Sequence, residues 1–131
     1  QSGVKACAGR LEQVSAFLGF SSRAGAVLMT PPAEPDRSLV PLVMELPTEF
    51  GSAYASASFA PNQANGCGAT YDAVMYWPQK CAVVAAKQFN GLKPLGQLKK
   101  DVSVLDGGAS TKVFLMPAGT GCVSIKKEVL L

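Results

Sequence analysis

The last twenty residues, Lys112 to Leu131 (KVFLMPAGTGCVSIKKEVLL), constrain the fold most. Val113 to Met116 is apolar at successive positions, so a strand there is apolar on both faces, the pattern of a strand covered from two sides. From Cys122 the pattern changes to alternation, Val123, Ile125 and Val129 against Ser124, Lys126 and Glu128. Pro117-Ala-Gly-Thr-Gly121 between them carries turn chemistry, so the segment reads as a β-hairpin. Cys122 begins its second strand, where a disulfide would staple an earlier part of the chain to the sheet. Lys127 falls on the face of Val123, Ile125 and Val129; it must reach solvent along its stem, meet a carboxylate or mark a bulge.

The hairpin closes a chain of 131 residues that is 48% hydrophobic, enough for one core and one domain spanning residues 1 to 131. The net charge of +3 is dispersed, with no basic stripe of the kind nucleic acid requires. No apolar run approaches the roughly 20 residues of a membrane-spanning helix. Four cysteines and no histidine favour two disulfides over a metal centre, because no CxxC pair is present. The chain starts at Gln1 without methionine or an apolar leader, as expected of an exported protein, periplasmic or secreted, whose signal peptide has been removed.

Taken in order, Cys7, Leu11, Val14 and Leu18 fall on one stripe of a helix from Val4 to about Leu18, which Gly19 ends. Ala26 to Thr30 and Leu39 to Leu46 read as antiparallel strands joined by a loop with Pro31 and Pro32, and Pro41 places the second at an edge or bulge. Ala53 to Phe59 alternates small apolar residues with Tyr54, Ser56 and Ser58, leaving room for a helix across the sheet. Thr70 to Trp77 is the next strand. Cys81 to Phe89 is a second helix whose Cys81, Val84, Ala85 and Phe89 share a side, with Asn90-Gly91 at its end. Lys93 to Lys100, containing proline and glycine, reads as a connection; Val102 to Leu105 is a short strand, and Asp106-Gly107-Gly108 a turn. The expected fold is an α+β domain: an antiparallel sheet of five or six strands, an N-terminal helix and a second helix packed on it, and two disulfides.

Chain reversal gives a preference among the three disulfide pairings. An eight-residue strand spans about 26 Å, whereas bridged Cα atoms lie about 4.4 to 6.8 Å apart, so Cys67 and Cys81, at opposite ends of the Thr70 to Trp77 strand, do not pair. If Val102 to Met116 is one return passage, Cys7 pairs with Cys67 and Cys81 with Cys122. If instead it is a hairpin across Asp106-Gly-Gly108, the parity reverses.

The absence of histidine removes Ser-His-Asp and Cys-His catalysis and most catalytic zinc sites. Carboxylate chemistry stays open, and Asp72, near Tyr71, Tyr76 and Trp77, is its first candidate; equally, Asp72 is a solvent-facing strand residue with aromatics in the core. The Gly119 and Gly121 loop lacks the following helix that a phosphate cradle needs. Lys126 and Lys127, with Lys93, Lys99, Lys100 and Lys112, form a basic surface for an acidic partner or a solvated edge that blunts aggregation. Glu34, Asp36 and Arg37 on the Pro31 to Ser38 loop form a recognition element or a plain connector. The candidate binding residues are therefore Glu34, Asp36, Arg37, Asp72, Tyr76, Lys126 and Lys127, with no catalytic residue, metal or cofactor assigned. These features describe a non-enzymatic exported binding or inhibitory protein, for example one that neutralises an envelope enzyme or toxin through loops and the basic edge. The competing expectations are a carboxylate-dependent glycan hydrolase of the envelope and a secreted structural or host-interaction factor.

Overall fold

The closing hairpin forms as its turn residues dictate: Thr111–Ala118 and Gly121–Leu130 pair antiparallel across the two-residue turn Gly119-Thr120. The computed structural model describes residues 25–29, 39–49, 51–60 and 67–130. Within them lie strands β1 (Gly25–Leu28), β2 (Val40–Thr48), β3 (Gly51–Ala60), β4 (Gly68–Trp77), β5 (Lys93–Gln97), β6 (Ser103–Asp106), β7 (Thr111–Ala118) and β8 (Gly121–Leu130). A single described helix, α1 (Cys81–Gln88), separates β4 from β5. All strands belong to one sheet of order β1-β2-β3-β4-β8-β7-β6-β5, antiparallel throughout. The sheet is thus two four-strand meanders joined along the β4–β8 seam.

The expected α+β domain with five or six strands, two helices and two disulfides is therefore corrected to an eight-stranded sheet with one short described helix. The main error lies at Lys93–Gln97, which pairs with β6 as a strand rather than serving as a connection. Its proline is tolerated because β5 is an edge, and the register shift between Pro94 and Gly96, with Gly96 at φ 125°, is a bulge that a residue with a Cβ adopts only with strain. The N-terminal helix expected from Val4 to Leu18 and the Pro31 to Ser38 loop lie outside the described residues.

One complete disulfide is present among the described residues, Cys81 to Cys122, with Cα atoms 5.0 Å apart. Cys67 is also disulfide-bonded, and the expected bridge to Cys7 lies outside the described residues. The β6–β7 pair is the very hairpin that should have reversed the parity. The extra strand β5 adds one more reversal and restores it, which returns Cys122 to the Cys81 end, where it pairs in register with Trp77.

The core lies on one face of the sheet, in two clusters. Val40, Leu42, Met44, Ala55, Ala57, Phe59, Cys67, Ala69 and Tyr71 are buried over β2 to β4. Trp77, Val84, Leu105, Val113, Leu115 and Cys122 are buried where α1 packs on β7 and β8, with Ala85 and Phe89 against them. The side of α1 expected from its spacing is the one that packs.

Candidate functional site

Period-two alternation fixes which side chains share a face. Registering each strand on its neighbours puts Val74, Ile125, Phe114 and Val104 in one row on the face opposite the core, crossing β4, β8, β7 and β6. Tyr76, Val123 and Met116 form the next row, toward the Cys122 end. These side chains are half-buried, with Tyr76 and Met116 exposed, and no described element lies over them. Gly121 helps to keep the surface smooth, since a Cβ there would collide with the Trp77 carbonyl and the Tyr76 ring.

The core side of β8 is the reverse. Cys122 and Ser124 are buried, Lys126 and Glu128 half-buried, and all face the core side. Trp77 Nε1 donates to Ser124 Oγ at 2.8 Å, and the Tyr71 hydroxyl donates to Glu128 Oε1 at 2.6 Å. Burial, reinforced by the hydrogen bond and the charge of Glu128, holds the Tyr71 hydroxyl well above the ordinary phenol range. The alternation of β8 therefore points its polar series inward, toward two aromatic donors, and its apolar series outward.

A charged row borders the apolar one. Asp72, Lys127, Lys112, Asp106 and Lys93 are successive cross-strand neighbours over β4, β8, β7, β6 and β5. Lys127 and Lys112 stand opposite each other, a repulsive pairing, and each turns to the carboxylate on its other side. Lys127 Nζ lies 3.0 Å from Asp72 Oδ1, and Lys112 Nζ 3.0 Å from Asp106 Oδ1. Asp106 also accepts from the Gly108 backbone N–H; that bond first, then Lys112, lowers its pKa below the usual carboxylate value.

Of the candidate residues, Asp72, Tyr76 and Lys127 come together on this open face. Tyr71 and Trp77 turn to the core, so only Tyr76 of the three aromatics shares the face of Asp72. Lys127 meets a carboxylate, one of the three outcomes its position allowed. Lys126 points to the core side, and Lys99 and Lys100 sit in the β5–β6 loop, so the lysines do not gather into one basic surface. Glu34, Asp36 and Arg37 lie outside the described residues. Phe114, Ile125, Val74, Val104, Val123 and Met116 were missed as site residues, although the two-sided apolarity of Val113 to Met116 was their signal.

Among the described residues, no group of three or more acidic or cysteine side chains is arranged to hold a metal ion, and no helix is long and apolar enough to cross a membrane. Comparison with known proteins brings no match to this chain from family models, characterised proteins or solved structures.

Proposed function

We propose that the chain is an exported binding protein whose work is contact with another protein, through the open face of β4, β8, β7 and β6. The observation that carries this reading is the apolar row Val74, Ile125, Phe114 and Val104 on a face without a described cover. Four strands about 4.8 Å apart and two rows, about four residues deep at roughly 3.3 Å per residue, make a patch on the order of 250 Å². An apolar centre bordered by a polar rim is the arrangement that interaction sites carry. The Asp72–Lys127 and Lys112–Asp106 pairs make up the rim along one side. Export is supported by the oxidised cysteines, since disulfides persist outside the reducing cytosol. For Asp72 the ion pair with Lys127 supports a rim residue rather than a catalytic acid.

Immobilised chain incubated with an envelope extract tests the reading. The wild type retains one stoichiometric partner, and Ile125→Glu loses it with an unchanged unfolding midpoint. Equal retention by both removes the open face as the contact surface.

A further inference from the structure

Beside the open face, at the Cys122 end of the sheet, the β5–β6 loop stands over the end of β7. Leu98 N–H donates to the Val102 carbonyl at 2.8 Å and closes the loop Leu98 to Val102 on itself. Between this loop and Met116-Pro117 lies an open groove of about 560 Å³. Its apolar lining is Leu98, Val102, Met116 and Pro117, with Leu98 67% exposed. Lys99, Lys100 and Asp101 line it as well, all exposed, and neither lysine makes an ion pair or a hydrogen bond. Two cations against one carboxylate leave the groove positive beside an apolar floor.

We infer that this groove takes an extended segment of a partner protein in which an apolar side chain is flanked by carboxylates, an inference that rests on the contact reading above. The charge selects the occupant. A second copy of the same groove would set Lys99 and Lys100 against their own kind, whereas an acidic segment offers the unpaired ammonium groups the counter-charges they lack. The floor selects the apolar side chain, and Met116, which adapts its shape readily, belongs to both the groove and the open face. The groove therefore adjoins the face on which the partner is proposed to sit. The groove is open to solvent, and its volume is within the range of ordinary ligand sites.

Fluorescence anisotropy with two short labelled peptides tests this, one alternating glutamate with leucine and the other lysine with leucine. The glutamate peptide binds about tenfold more tightly at low ionic strength, and the preference shrinks as salt is added. The Lys99→Glu/Lys100→Glu variant abolishes the preference, and Leu98→Asp weakens the glutamate peptide about tenfold, both with unchanged unfolding midpoints. Equal binding of the two peptides overturns the inference, as does a double variant that behaves as wild type. Light scattering that reveals a dimer dissolved by Leu98→Asp gives the groove to a second copy and also overturns it. If the peptides fail while Ile125→Glu still loses the captured partner, the groove inference alone falls. If Ile125→Glu also retains the partner, the contact reading falls with it.

Discussion

The two faces of β8 divide labour in the reverse of the way their composition suggests. The polar face, with Ser124 and Glu128, is turned to the core and bonded to Trp77 and Tyr71, whereas the apolar face, with Val123 and Ile125, is turned out. A buried polar group costs little when its partner is in place and much when it is not. An apolar face turned out gives the lone chain only its cross-strand packing and leaves surface that a partner can cover. On the proposed reading the core side carries stability and the open side recognition, and substitutions on the two sides separate these roles.

The largest separation in stability is expected from removing the bridge on the core side. Cys81 and Cys122 are 41 residues apart, so loop-closure entropy makes the bridge worth about 4 kcal/mol, and Cys81→Ser/Cys122→Ser should lower the urea-derived unfolding free energy by about that much. Neighbouring residues of β7 give the sharpest contrast. Leu115 is 1% exposed and Met116 39%, so Leu115→Ala should cost about 3 kcal/mol and Met116→Ser about 0.5 kcal/mol in the same measurement. Equal costs would break the distinction between the faces.

Within β8, Ser124→Ala removes the acceptor for the buried Trp77 N–H and should cost about 1 to 2 kcal/mol, with a change in tryptophan emission. Burial of Tyr71, reinforced by its bond to Glu128, gives a pH signature. The folded chain keeps the phenol proton to higher pH than the unfolded chain, whose tyrosine titrates near 10. Stability is therefore complete below about pH 10 and declines as pH rises above it. Tyr71→Phe should flatten that decline in urea titrations across the alkaline range. The smallest effect belongs to the open side. The lowered pKa of Asp106 adds stability above about pH 4 that is lost as pH falls through its folded value, and Asp106→Asn should remove this shallow acid slope.

The closing hairpin, the antiparallel pairing of β1 through β4 and the packing side of α1 were legible because local periodicity and turn residues dictate them, whereas the Cys81–Cys122 bridge was expected on a single return passage that the β6–β7 hairpin replaces, and it forms because β5 adds a second reversal. β5 was not legible, because Pro94 and Gly96 are the signature of a loop and become compatible with a strand only at an edge with a bulge, which tertiary context decides. The direction of β8 was hidden for a related reason. Alternation shows which residues share a face but not which face is inward, and here two aromatic hydrogen-bond donors from β4 make the polar side the buried one. Adjacent lysines on a strand point oppositely, so the basic surface suggested by Lys126-Lys127 dissolves on folding. The charged row across β4 to β5 depends on register between five strands, which no local stretch of sequence encodes.

The most direct measurement places Leu115→Ala beside Phe114→Glu and records, for each, the urea midpoint and retention of the partner captured by the wild type. The division of the sheet predicts that Leu115→Ala lowers the midpoint and, while folded, keeps the partner, and that Phe114→Glu loses the partner with stability changed by no more than about 1 kcal/mol. A Phe114→Glu chain that keeps the partner at full occupancy contradicts the account.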